Sequence, residues 1–161
     1  MISSNQMGPF PEGLQVGLVN INERKVLLNF LDHKEVISNN RNSVYDLKII
    51  AGNQEYVKSM SQEILSSIPE EFSLGQNYPN PFNPITQMEY SLPQRSKVVI
   101  SIYNVLGQEI KSLINKEQDY GYHSVTWDGT DRLGKSVASG VYFTQMRSGG
   151  FSQSKKMLLL K

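Results

Sequence analysis

The sequence predicts an all-β chain: an immunoglobulin-like antiparallel β-sandwich of about seven short strands, preceded by a smaller β-rich segment. Three observations carry this expectation. Runs of alternating apolar and polar residues recur along the chain, the pattern of half-buried strands. Clusters of Asn, Gly, Asp and Pro punctuate those runs at short intervals and supply the turns. A single tryptophan, Trp127, closes one run, where one large ring can anchor a small core.

The smaller segment spans residues 1–58. Leu14–Asn20 alternates, Lys25–Leu31 follows the turn-like Asn22-Glu23, and Tyr45–Ala51 follows the polar stretch Ser38–Ser43 and ends at the turn dipeptide Gly52-Asn53. Three strands bury little area and are marginal alone, so this segment reads as the C-terminal part of an upstream β-rich unit, or as strands that pack on the second domain. Residues 59–71 read as a linker. Met60, Ile64 and Leu65 have weak helical spacing and Pro69 stops any helix, so a short helix and an irregular connection both fit.

The texture changes after Leu74. Asn77–Pro84 packs three prolines and three asparagines into eight residues. Proline fixes φ and donates nothing to a ladder, while Asn closes local turns, so a rigid, ordered loop is expected. Predicted strands then follow at Gln87–Leu92, Lys97–Tyr103, Glu109–Ile114, Tyr122–Trp127, Val141–Arg147 and Ser154–Leu160. Core-facing sets are Met88, Tyr90 and Leu92, then Val98, Ile100 and Ile102, then Val125 and Trp127.

Composition narrows the chemistry. The formal net charge is +1 over 161 residues, with no dense basic groove for nucleic acid. The charge is mildly asymmetric, 6 basic against 9 acidic residues before Phe72 and 10 against 6 from there on. With no cysteine, disulfides, thiolate catalysis and cysteine-ligated metals are excluded. No stretch reaches the roughly 20 apolar residues of a transmembrane helix. The first residues lack a basic segment followed by an apolar run, so no secretory signal peptide is expected within this sequence.

Catalytic patterns are weak. Asp128-Gly129-Thr130-Asp131 offers carboxylates but lacks the alternating ligand spacing of a calcium loop, and a hairpin turn with φ > 0 at Gly129 and Gly134 is the simpler reading. His33 and His123 are far apart and no nucleophile motif stands near either. Glu89, Glu109 and Glu117 read as strand-surface charge rather than a glycosidase pair. No phosphate-binding glycine loop and no nucleophile elbow occur. Tyr103, Tyr120, Tyr122 and Tyr142 read as a mixture of core and surface rings, with an aromatic platform the less favoured alternative. No enzyme, cofactor or metal is expected.

Several linked segments carry a resemblance: Asn77–Thr86, Tyr90–Pro93, Val98–Ile110, Gly121–Phe143 and Lys155–Lys161. In this order and spacing they resemble the C-terminal sorting domain, type A, of type IX secretion substrates. Their middle is also similar to the immunoglobulin-like domain of the flagellar hook-capping protein. The resemblance covers residues 72–161. It implies a non-enzymatic address label that an outer-membrane translocon recognises after a separate signal peptide has carried the protein into the periplasm. A sortase-like protease then removes the domain, so an upstream cargo is released or held at the surface of a Gram-negative cell.

The resemblance also points to candidate sorting-signal residues. Gly140 and Tyr142 match the glycine–aromatic start of the penultimate strand. Lys155, Lys156 and Lys161 bracket Met157, Leu158, Leu159 and Leu160 as a basic–apolar–basic terminal strand. Alternation puts Met157 and Leu159 on one face and Leu158 and Leu160 on the other, and a strand apolar on both faces requires cover on both sides or a pairing partner. Recognition by strand addition, with the lysines steering toward an acidic rim, is one expected mechanism. The exposed stretch 59–72 is the expected cleavage region. The alternatives are a permanent structural or adhesive immunoglobulin-like module and, less favoured, an accessory carbohydrate-binding module.

Overall fold

In the computed structural model, residues 12–28 and 46–161 are described. His33, the polar stretch 38–43, the end of the second predicted strand and Tyr45 lie outside them. The chain divides into two compact units, Met1–Ser67 and Ile68–Lys161. Among the described residues it is mostly antiparallel β structure with one helix.

In the first unit, β1 (Gln15–Asn20) is the middle of a sheet, flanked by β2 (Lys25–Leu28) and β3 (Leu47–Gly52). Both pairings are antiparallel. The Asn20 side chain accepts the Glu23 amide at 3.1 Å and tightens the β1–β2 turn. Helix α1 (Gln54–Ser67) follows β3 directly.

Of the two connections that residues 59–71 allowed, the chain adopts the short helix, and it begins earlier. Its start at Gln54 lies before residue 59, and it reaches Ser67, so most of 59–71 is regular helix. Asn53 is the reason: its side-chain oxygen accepts the Tyr56 amide at 2.8 Å, which caps the first turn. The Gly52-Asn53 pair that reads as a turn is therefore a helix start. The helix buries Val57 and Ser61, and β1 meets it at Gly17. A Cβ there would lie 2.6 Å from Val57 Cγ1, so only glycine permits this approach.

The second unit is the expected sandwich, and it has seven strands. One sheet is ordered β4 (Ser73–Leu74), β5 (Thr86–Leu92), β8 (Gly121–Trp127). The other is ordered β10 (Phe151–Leu159), β9 (Gly140–Ser148), β6 (Ser96–Asn104), β7 (Glu109–Gln118). Predicted and observed strands agree to within a few residues. The larger differences are β7, which runs on to Gln118, and β10, which starts at Phe151 after the two-residue Gly149-Gly150 turn. The β6–β7 register shifts twice, after Ile100 and after Ile102, which lets Ile110, Leu113 and Ile114 all pack against the core.

The core lies between the sheets. Met88, Tyr90 and Leu92 from β5 face Val98, Ile100 and Ile102 from β6 across it. Trp127 is fully buried in it, its ring 5.5 Å from Phe82 and 5.1 Å from Tyr142. Its indole N–H donates to the Thr130 carbonyl at 2.9 Å, so the ring's one polar group is satisfied.

Candidate functional site

The nine candidate residues converge on one end of the four-stranded sheet, where β10 forms an edge. The β9–β10 ladder pairs Met157 with Tyr142 and Leu159 with Gly140. Alternation then sorts the strand by face. Gln153, Lys155, Met157 and Leu159 project toward the opposite sheet, and the last two have no exposed surface. Lys156, Leu158 and Leu160 project to the outside; Lys156 and Lys161 are exposed and Leu160 is 49% exposed. Gln153 accepts the Leu74 amide at 2.9 Å and so links the two sheets at β4.

The free edge of β10 is already paired. Phe82 donates its amide to the Leu158 carbonyl at 3.0 Å and accepts the Leu160 amide at 2.9 Å, a short parallel bridge. Asn80 accepts the Leu158 amide at 3.0 Å, and Gln76 donates to the Lys156 carbonyl at 2.8 Å. The Phe82 ring meanwhile fills the core beside Trp127. The loop is held in turn by Asn77, whose amide donates to the Pro79 carbonyl and to the Thr86 hydroxyl, both at 2.9 Å. The proline-rich segment thus clasps the last strand along Lys156–Leu160. Strand addition at these residues would have to displace the loop, because the Lys156 and Leu158 carbonyls and the Leu158 and Leu160 amides are occupied. The partner that the doubly apolar strand requires is the chain's own loop.

Gly140 and Tyr142 have structural work. Gly140 has φ +155°, in the region that favours glycine, at the point where the chain enters β9. Tyr142 is buried against Trp127, and its hydroxyl donates to the Ala138 carbonyl at 2.8 Å. This is a tyrosine corner, in which a ring at the start of a strand pins the preceding loop. Burial raises the phenol's pKa above its usual value. Tyr142 is buried and offers a partner little surface, while Gly140 is half-buried. Lys161 donates to the Val137 carbonyl, which ties the tail to the loop before β9.

The Asp128 cluster is a braced turn. Asp128 accepts the Thr130 hydroxyl at 2.6 Å and the Lys111 ammonium at 2.9 Å. The same ammonium donates to Thr130, so a lysine of β7 supplies the positive charge among these oxygens. Asp131 accepts the Leu133 and Lys135 amides, and Gly129 and Gly134 have φ of +68° and +76°. His123 stacks on Tyr90 at 5.3 Å and contacts the Asp119 carbonyl. Glu89 lies exposed on one sheet, Glu109 and Glu117 on the other. The four tyrosines are dispersed: Tyr142 in the core, Tyr120 at the β7–β8 turn, Tyr122 exposed on the three-stranded sheet and Tyr103 on the outer face of the four-stranded sheet.

Sequence reasoning missed Gln76, Asn80 and Phe82. The proline and asparagine density marked their loop as rigid, but nothing in it names the strand it would hold.

An immunoglobulin-like β-sandwich closed by its own lead-in loop is the class these features define. Residues 85–150, β5 through β9, match the family of the FlgD Ig-like domain. No curated protein matches the chain. Among solved structures, FlgD from P. aeruginosa is similar at 21% identity and TM-score 0.38, covering 46% of this chain and 57% of that one. PorZ of Porphyromonas gingivalis, described as an essential bacterial surface component of the type IX secretion system, is similar at 15% identity and TM-score 0.39, covering 70% and 14%. Dimeric latent PorU from the same organism is similar at 17% identity and TM-score 0.44, covering 94% and 12%. This chain therefore spans less than two thirds of each of these proteins.

Proposed function

We propose that residues 72–161 are a C-terminal sorting domain that directs an attached cargo across the outer membrane by the type IX secretion system, with no chemistry of its own. The observation that carries this is the tail. Lys156, Leu160 and Lys161 lie exposed at one rim of a domain whose remaining tail residues are tied into the core. No charged residue occurs in the clasping loop Leu74–Pro84, and the only charges in Phe151–Lys161 are three lysines. A rim of exposed lysines suits a translocon surface of the opposite sign. Secretion or surface display from a Gram-negative cell, via the periplasm, belongs to the same proposal.

A sortase-like protease would act between cargo and domain. Helix α1 closes most of the stretch 59–72 to an extended protease substrate. The proposed cleavage region therefore narrows to the exposed Glu70-Glu71.

The test fuses the whole chain behind a signal peptide and a fluorescent reporter, in a host with the type IX machinery. Reporter in the medium or on the surface, lost when the machinery is deleted, supports sorting. Reporter retained in the periplasm beside a folded, uncleaved domain overturns it. That result would favour a permanent structural or adhesive module, the reading that the closed, self-clasped sandwich also accommodates.

A further inference from the structure

We infer that the sorting partner reads the outer face of the four-stranded sheet through side chains, from Lys156 across a groove to the turn Asn104–Gln108. The partner presents an apolar side chain to the groove and a carboxylate to Lys156. This rests on the sorting proposal and names the contact surface within it.

The groove is a shallow cleft of about 380 Å³, lined by Tyr103, Val105, Phe143, Gln145 and Ser154 among others, with no charged residue in its wall. It adjoins the tail directly, since Phe143 pairs with Lys156 and Gln145 with Ser154 across the β9–β10 ladder. Lys156 has no carboxylate partner among the described residues. Beyond the far end stands Glu109, outside the lining, which accepts the Tyr103 hydroxyl at 3.4 Å. A partner's carboxylate is therefore drawn to the Lys156 end and repelled from the other, which fixes the direction of docking.

The turn at the far end is built to display apolar groups. Asn104 accepts the Leu106 and Gln108 amides, both at 3.0 Å, and its own amide donates to the Gln108 side chain at 2.8 Å. Gly107 takes φ +75°, which closes the turn. On this braced frame Val105 is 67% and Leu106 78% exposed. Two aliphatic side chains held in solvent by a rigid turn lose little entropy on docking, so they are cheap to bury against a partner. The clasp on the β10 edge completes the case: with the Lys156 and Leu158 carbonyls and the Leu158 and Leu160 amides held by the loop, a partner meets this rim through side chains.

The reporter fusion of the whole chain tests this with Val105→Asp, Val105→Ser, Lys156→Glu and, on the opposite sheet, Tyr122→Ser. Thermal unfolding of each purified chain is measured in parallel. The expected result is that both Val105 variants and Lys156→Glu reduce secretion roughly tenfold or more. They keep the parent's unfolding midpoint, and Tyr122→Ser is secreted normally. Normal secretion of both Val105 variants beside a blocked Lys156→Glu means that the tail alone is read, which overturns the inference while sorting stands. Loss of secretion by Val105→Asp alone, with a lowered midpoint and a normal Val105→Ser, also overturns it, because the defect is then one of folding. Failure of the parent fusion itself removes the sorting reading.

Discussion

The two faces of β10 carry the same kind of residue to opposite ends. On the inner face Met157 and Leu159 have no exposed surface and belong to the core cluster with Tyr142 and Trp127. On the outer face Leu160 is 49% exposed beside Lys156 and Lys161. Four consecutive apolar residues thus divide between a stabilising role and a displayed one, set only by the alternation of the strand. The lesson is that a terminal apolar run need not act as a unit. Its even and odd positions answer to different physical demands, and mutations should separate them.

The largest effect expected is at Leu159. Truncating a fully buried leucine removes its transfer free energy and leaves a cavity, so Leu159→Ala should destabilise the domain by about 2–5 kcal/mol. Leu160→Ala, at the next position, should cost less than about 0.5 kcal/mol. Denaturant unfolding of the two variants reads the difference. Similar losses at both positions would break the comparison of the faces.

The clasp predicts a smaller effect confined to the edge. Asn80→Ala removes the acceptor of the Leu158 amide, and the cost should be about 1–2 kcal/mol. Amide hydrogen exchange localises it. The Leu158 amide should exchange faster than in the parent, while the Met157 amide, in the ladder with β9, should change only as far as global stability does. Unchanged exchange at Leu158 would show that Asn80 does not hold the edge.

How much of this was legible differs between elements for a physical reason. Most of the strands β5 to β10 were, because each buries one face and therefore alternates, whereas β7, with its two register shifts, does not and was placed by the turn before it. The inner and outer sets of β10 followed from the same period. The clasp was not, because it joins residues 76–82 to residues 156–160 by main-chain groups that every sequence possesses. The start of α1 was misread because an asparagine that closes a turn and one that caps a helix use the same side-chain acceptor. Tyr142 was visible as an aromatic at a strand start, but its hydroxyl's reach to Ala138 depends on the path of the loop before it. Val105 and Leu106 sat in plain view inside a recognised motif. Their exposure became evident only once the Asn104 turn was seen to hold them away from the core.

The smallest effect expected is a pH dependence that reaches the inner face of β10 through the turn beside it. The Thr130 hydroxyl, helped by Lys111, holds the Asp128 carboxyl down from 3.8 to about 2, against the opposing effect of partial burial. Because the folded-state value is depressed, the ionised form stabilises the fold. That contribution is fully present above about pH 4 and is lost as pH falls through 4 toward 2. The side chain is 52% exposed, so solvent screening limits the effect to about 1 kcal/mol or less. Gly129, the next residue, packs on Leu159: a Cβ there would lie 3.6 Å from its Cδ2. Loosening this turn therefore bears on the inner face, while Leu160 points away from it. Unfolding midpoints at pH 6, 4 and 2.5 should fall less steeply for Asp128→Asn than for the parent. Parallel slopes would mean that the brace between Asp128, Thr130 and Lys111 contributes nothing to the acid sensitivity of the domain.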